Sequence, residues 1–294
     1  MAHNVRLRHY PAIGMTEVMV ASKSVFGGSE PPEHEKILQR MQHVGGKMEN
    51  CCKPVQQQQE NIDRAARRAR AAVRSYGYAN ADVWTWFVTL TVSPDASIDR
   101  YNITDCVRRQ GQWLSNQVKR HGLCYVLVPE LHKDGAIHWH GFFNDALPMV
   151  DSGTMIVPGH SKPIRPRSAS DRACGKPVYN CPAWKYGFST AIRLEGDRRK
   201  AISYVCKYIG KRTEDGGCDG KIGGRWYYSG GDLRKPEETY ADIAVEDFEK
   251  MFAESEYDFE AAGMRFAVSR MYDKLDKGAN ENDGRKIGDR EERH

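Results

Sequence analysis

The sequence predicts an α+β domain, a central antiparallel sheet with helices on one face. Three observations predict it. Runs of β-branched and aromatic residues alternate with stretches of helical period. An Asp134-Gly135 dipeptide joins two of those runs across a tight turn, which makes them antiparallel neighbours. The order strand, helix, strand, turn, strand, loop, strand, helix over roughly residues 80–230 suits a sheet with helices packed on it.

The elements follow in order. Residues 1–58 include GGSEPPEHE, HVGG and Gln56 to Gln59 and show little periodicity, so they are expected to be poorly ordered. Residues 60–75 read as a helix, favoured by Ala and Arg, with Arg64, Arg67, Arg68, Arg70 and Arg74 over much of its surface. It is either a charged surface helix or one that touches phosphates. Trp84 to Val92 (WTWFVTLTV) is a buried strand ended by Ser93-Pro94-Asp95. Residues 104–121 form an amphipathic helix with Val107, Trp113, Leu114 and Val118 on its apolar side. Cys124 to Leu131 and Ala136 to Phe143 are the two arms of the hairpin. Residues 144–183, rich in Pro, Gly and Ser, read as a long loop. Gly187 to Leu194 reads as a further strand, and 197–211 as a helix with Asp197 at its N-cap and Gly210 near its end. Arg225 to Tyr228 suggests a short closing strand. Residues 236–294 read as an acidic helical tail, helical over about 242–275, whose end is disordered.

The chain has 294 residues, 40% of them hydrophobic and 28% charged, enough for one large folded domain with arms. No apolar run approaches the roughly 18 residues of a membrane span, and the N-terminus lacks the apolar core of a secretory signal. The eight cysteines (Cys51, Cys52, Cys106, Cys124, Cys174, Cys181, Cys206 and Cys218) form no CxxC pair and suit reduced thiols in a cytoplasmic protein; a zinc knuckle from Cys174 and Cys181 has the wrong spacing. The formal charge of +5 is unevenly spread. Residues 159–212 hold 13 Lys/Arg against three Asp/Glu, whereas residues 213–294 hold 13 against 21. A basic block of net +10 points to a polyanionic partner.

Two constellations carry chemistry. His138-Trp139-His140 puts two imidazoles on one side of a strand, because strand side chains alternate with period two. Across the turn, Glu130 and His132 share a face of the preceding strand, and an odd-numbered turn would bring that face to the histidines. Glu130 is the preferred third metal ligand and His132 the alternative. Two imidazoles with a carboxylate suit Mg²⁺ or Mn²⁺ acting on a phosphate. The second constellation is Tyr204-Val205-Cys206-Lys207-Tyr208-Ile209-Gly210-Lys211, in which YxxK occurs twice in register. Tyr204 and Tyr208 at i,i+4 would direct both hydroxyls from one helical face. A phenol has an ordinary pKa near 10 and needs help to act as a nucleophile. Lys207 and Lys211 could stabilise the phenolate or the charge developing on phosphorus.

Taken together and in order, FVTLT (Phe87–Thr91), HWH and YVCKYIGK resemble the three motifs of the HUH endonucleases, specifically the two-tyrosine rolling-circle replication initiators of phages and plasmids, including the filamentous-phage gene II type. The resemblance covers about residues 60–235. It implies an RRM-like or ferredoxin-like HUH fold over 59–235, led by the basic helix.

The resemblance also implies a mechanism. A divalent ion on His138, His140 and Glu130 would grip the scissile phosphate of single-stranded or supercoiled origin DNA. One tyrosine, Tyr204 first, would take the 5′-phosphate and free a 3′-OH for a host polymerase, and the second would later cut the regenerated origin. Arg165, Arg167, Lys185, Arg198, Arg199 and Lys200 are candidate DNA-binding residues, with Trp184 and Tyr186 as base-stacking candidates. No GxxxxGK[ST] motif is present, so unwinding would fall to a host helicase in the bacterial cytoplasm. The alternatives are a relaxase or single-strand transposase of the same superfamily, or a non-catalytic single-stranded DNA-binding module.

Overall fold

The structure is a computed structural model that describes residues 1–27, 55–160, 162–211, 220–261 and 263–273. The chain divides into two compact units, one from residues 1–48 with 236–294 and one from residues 49–235.

The second unit is built on a seven-stranded sheet. Its strands are β3 (Trp86–Val92), β4 (Tyr125–Leu131), β5 (Ile137–Phe143), β6 (Val150–Ile156), β7 (Lys176–Asn180), β8 (Gly187–Arg193) and β9 (Tyr228–Gly230). They lie in the order β6-β7-β8-β3-β5-β4-β9, and every pairing is antiparallel. The α+β class and the antiparallel sheet agree with the sequence expectation. The helices, however, occupy both faces. Trp86, Val88, Leu90 and Val92 of β3 and Ile137, Trp139 and Phe143 of β5 pack against Cys106, Trp113 and Leu114 of α2 (Ile103–His121). The opposite side chains of β3 meet α4 (Arg198–Cys206), where Phe87 lies against Tyr204 at 5.9 Å. Strands β3 and β5 carry bulky residues on both sides, so each face needs a cover.

Local chemistry explains the elements that position the site. Asn102 caps α2 by accepting from the Asp105 amide at 3.1 Å, and Gly122 closes it with φ 68°. The hairpin turn between the paired residues Leu131 and Ile137 spans His132 to Ala136, an odd count. Asp134 accepts from the Ala136 amide at 3.0 Å, and Gly135 takes φ 86°. Asp197 caps α4 as expected, accepting from the Arg199 amide at 2.9 Å. Helix α1 (Val55–Ala79) runs beside α4. The approach is close because residue 77 is glycine: a Cβ there would stand 2.6 Å from Ile202 Cγ2.

Several expectations are corrected. The stretch 144–183 is not a loop but contains β6, α3 (Ala169–Cys174) and β7. Pro177 and Gly153 read as loop signals, yet Gly153 lies in the bulge of the edge strand β6, and Pro177 lies in β7 outside its pairing with β8, where a missing donor is tolerated. The short closing strand is shifted to Tyr228–Gly230. The predicted helix over 197–211 ends at Cys206, and the chain continues in tighter turns.

The first unit departs furthest from expectation. Poor order was expected over 1–58, but Val5–Tyr10 and Met15–Ala21 are strands β1 and β2. The acidic tail is helical only in α5 (Val245–Ala253) among the described residues; β10 (Glu237–Ala241), β11 (Tyr257–Ala261) and β12 (Met264–Tyr272) are strands. The sheet order is β10-β1-β2-β12-β11. Phe248, Met251 and Phe252 of α5 cover Val5, Val18, Val20 and Ala267. The helix-forming Ala, Met and Arg of β12 are overridden by pairing with β2, some 250 positions earlier. The expected disorder over 28–54 and 274–294 falls outside the described residues.

Gly141 follows the second histidine, and a Cβ there would run into the Val126 carbonyl oxygen and come within 2.9 Å of Leu127 Cα. Gly141→Ala is therefore expected to cost about 1–3 kcal/mol in urea unfolding. Gly111→Ala, on the exposed side of α2 with open space around it, should instead raise stability by about 0.4–1 kcal/mol.

Candidate functional site

The site is built on the central strands β3, β5 and β4. In this register Thr91 and Glu130 flank His138 from opposite sides, while Thr89 faces His140. The period of two keeps Trp139 on the other face, buried against Trp184. Thr89 Oγ1 lies 3.0 Å from His140 Nδ1, and Thr91 Oγ1 lies 3.1 Å from His138 Nδ1. Each hydroxyl engages one ring nitrogen, which leaves Nε2 of both imidazoles for another partner. The rings stand nearly parallel, 6.4 Å apart between centroids.

Nε2 of His140 is buried and has no directed hydrogen bond. It lies 2.9 Å from Glu130 Oε2, while Lys211 Nζ donates to Glu130 Oε1 at 2.9 Å. Burial works to raise the Glu130 carboxyl, but its interactions with His140 and Lys211 outweigh burial and bring it down to about 2. Burial, with the neighbouring His140 and His132, lowers His138, which favours the neutral ring that can ligate a cation. His132 stacks on His138 at 5.2 Å, and its Nδ1 lies 3.1 Å from Asp134, which also pairs with Arg100. His132 thus sits at the turn end of the row, and Glu130 is the acid beside both rings.

Tyr208 lies flat on His140, with centroids 4.1 Å apart and planes within 6°. Its hydroxyl donates to Tyr204 Oη at 2.9 Å. The two tyrosines meet although they do not share a regular helix. After Cys206 the amides of Lys207, Tyr208 and Ile209 reach back three residues, to Tyr204, Val205 and Cys206. Burial first, then the hydrogen bond to Tyr204, raises the Tyr208 phenol above its ordinary value of 10. Lys207 Nζ lies 5.7 Å over the Tyr204 ring, whereas Lys211 belongs to the Glu130 side.

Arg70 is a positioning residue that the sequence reading did not single out. Its guanidinium donates to the carbonyls of Ile209 and Gly210 at 2.9 and 3.0 Å, which ties the Tyr208 turn to α1. Thr89 and Thr91 were also read only as strand residues. Their matching parity in FVTLT was the available signal, but nothing local identifies the strand they face.

The DNA-binding candidates separate. Arg199 and Lys200 line an open hollow with Ser203, Tyr204 and Lys207. Arg198 instead donates to the Trp84 carbonyl at 3.0 Å and anchors the start of α4. Arg165 and Arg167 lie between β6 and α3, towards the sheet edge, and Lys185 is exposed before β8. Trp184 is core rather than a base-stacking residue: it is buried against Trp113 and donates to the Thr91 carbonyl. Tyr186 packs edge-on against Trp184.

The metal question turns on the donors. Two neutral-capable imidazoles with tethered Nδ1 atoms and a carboxylate form a donor set suited to a divalent ion, and the buried Nε2 of His140 lacks a directed partner. Among the described residues, however, no three His, Cys, Asp or Glu side chains are already gathered closely enough to hold one. Glu130 meets His140 through Oε2 and Lys211 through Oε1. Cys106, Cys124, Cys174, Cys181 and Cys206 are free thiols; Cys51, Cys52 and Cys218 lie outside the described residues. Among the described residues no helix is long and apolar enough to cross a membrane.

Residues 85–213 match the family model of the replication-associated proteins of the ORF2 and gene II protein type. The matched stretch contains Thr89, Thr91, Glu130, both histidines, both tyrosines and Lys211, and it supports a Rep-type initiator. Comparison with curated proteins and with solved structures gives no match.

The depressed Glu130 pKa sets a pH window. Its ordinary value is 4.5 and its folded value about 2, so its stabilising contribution is complete above pH 4.5 and is lost as pH falls through about 2. Lys211→Ala should move the Glu130 titration upwards, read by carboxyl ¹³C NMR. An unchanged titration would mean that the lysine contact does not hold the carboxylate.

Proposed function

We propose that this protein is a rolling-circle replication initiator that nicks one strand of origin DNA by tyrosine attack and later rejoins the product. The observation that carries the reading is the pair of phenols, hydroxyls 2.9 Å apart, one of which, Tyr208, is stacked on His140 of the His138/His140/Glu130 group. The family match over the same residues supports replication over the relaxase and transposase alternatives, which would use the same chemistry on other substrates.

His138, His140 and Glu130 would hold one Mg²⁺ or Mn²⁺, which when bound supplies positive charge to the non-bridging oxygens of a phosphodiester. The contact an ion would displace is the one between Glu130 Oε2 and His140 Nε2; Lys211 sits on the other carboxylate oxygen. Thr89 and Thr91 orient the two imidazoles through Nδ1. Tyr204 opens the reaction: Tyr208 donates its proton to Tyr204 Oη, so a developing Tyr204 phenolate finds a donor already in place. The Tyr204 Oη–P bond forms as the P–O3′ bond breaks. The phenol proton is lost to solvent and the departing 3′-oxygen takes one up, giving a 5′-phosphotyrosine and a free 3′-OH. Lys207, over the Tyr204 ring, offsets negative charge there. The 3′-OH would prime a host polymerase while a host helicase unwinds the origin.

The test is incubation with labelled origin-like single strands and Mn²⁺, scored for a denaturant-resistant adduct. Tyr204→Phe and Tyr208→Phe together should abolish it, and His138→Ala with His140→Ala should do the same. Binding without an adduct on any candidate origin would leave only the non-catalytic DNA-binding module. Thr91→Val should weaken Mn²⁺ binding by about 10–100-fold in a calorimetric titration while the fold persists.

A further inference from the structure

Beside the histidines lies a second, chemically different surface. Arg199, Lys200, Ser203, Tyr204 and Lys207 line an open hollow of about 340 Å³. Their spacing puts them along one side of α4 and its last turn, opposite the buried Ile202, Val205 and Cys206. The lining holds three cations, a hydroxyl and a phenol, and no carboxylate. Arg199 is steadied by its Nε bond to Asp197 at 2.8 Å, and Lys207 lies over the Tyr204 ring. Such a surface selects an anion rich in acceptor oxygens.

Tyr204 is shared between the two surfaces. It is 48% exposed and lines the hollow, yet its hydroxyl is 2.9 Å from that of Tyr208. Tyr208 does not line the hollow and is stacked on His140. Two nucleophiles that serve one metal-side position in turn meet a spatial conflict, because the first product is a phosphodiester carrying a negative charge and a DNA strand. It must leave the imidazole side before a second phosphate can enter.

We propose that the α4 hollow receives the 5′-phosphodiester attached to Tyr204 after the first cut, leaving the imidazole side clear for the next scissile phosphate and Tyr208. The proposal rests on the tyrosine-nucleophile reading. It requires no new bond: the Tyr204 Oη–P linkage turns with the side chain, and its non-bridging oxygens exchange water for Arg199, Lys200 and Lys207. When rejoining follows, a free 3′-oxygen attacks that phosphorus, the P–Oη bond breaks, and the phenol regains a proton.

The test compares two rates in one assay on the full chain, adduct formation on a first origin strand and cleavage of a second strand by the adduct. In Lys200→Gln with Lys207→Gln, the ratio of second to first cleavage should fall at least fivefold. A fluorine label on Tyr204 provides an independent readout by ¹⁹F NMR. At constant ionic strength, inorganic phosphate should shift it saturably, with an apparent Kd at least fivefold weaker in the same double variant. An adduct that forms while both cleavages slow equally, or a fluorine signal that phosphate does not saturate, overturns the hollow as the holding site and leaves the nicking reading standing. Absence of any adduct removes the nicking reading and the hollow's cargo with it.

Discussion

The register of β3, β5 and β4 is the constraint on which the rest of the site depends. His138 and His140 can share a face only because β5 is extended there, and they can be oriented only because β3 brings Thr91 and Thr89 opposite them. The odd-numbered hairpin turn then puts Glu130 on the same face. A slip of one residue in either pairing would send a threonine, a carboxylate or an imidazole into the apolar side. That slip is opposed by Trp86, Val88, Leu90, Ile137, Trp139 and Phe143, all buried against α2 and its neighbours. The core on one face thereby holds the chemistry on the other.

The tyrosines are held by a different means. They ride on α4 and the tightened turn after it, and α4 is held by α1 rather than by the sheet alone. Gly77 admits Ile202, Arg70 ties down the carbonyls of Ile209 and Gly210, and Arg198 grips the Trp84 carbonyl. The arginine-rich helix was open to a phosphate-binding or a bland surface reading; for Arg70 the structure gives a third role, as an anchor. An arginine presents several donors in a fixed fork, and here that fork spans two successive carbonyls in the turn that follows α4.

Electrostatically the site is divided. On the β-sheet side a carboxylate is held ionised by His140 and Lys211, beside imidazoles whose Nδ1 atoms are engaged by threonines. On the α4 side, cations gather around Tyr204 with no acid in the lining. Tyr208 belongs to the first surroundings and Tyr204 opens onto the second. Residues with the same chemistry, four positions apart, therefore meet different fields, which is a physical basis for distinguishing two otherwise equivalent phenols.

Much of this was legible in the chain itself. Period-two alternation in WFVTLTV and IHWHGFF, the Asp-Gly turn and the Asp197 cap are local signals, and they set the hairpin, the pairing of the two histidines and the start of α4. The i,i+4 spacing of Tyr204 and Tyr208 likewise brought the two phenols together, although the helix ends between them. What depended on distant partners was not legible. The threonine contacts to the histidines, the grip of Arg70, the burial of Trp184 and the seven-strand order all join segments tens of residues apart. The sheet of the first unit joins the two ends of the chain, so β1, β2 and β12 read as disorder or helix until they pair. Sequence alone determined which groups could do the chemistry, because side-chain type and short-range periodicity are local properties. Only the tertiary structure decided which nitrogen is engaged, which lysine meets which partner and which tyrosine faces which field, because those depend on how strands and helices from distant segments pack.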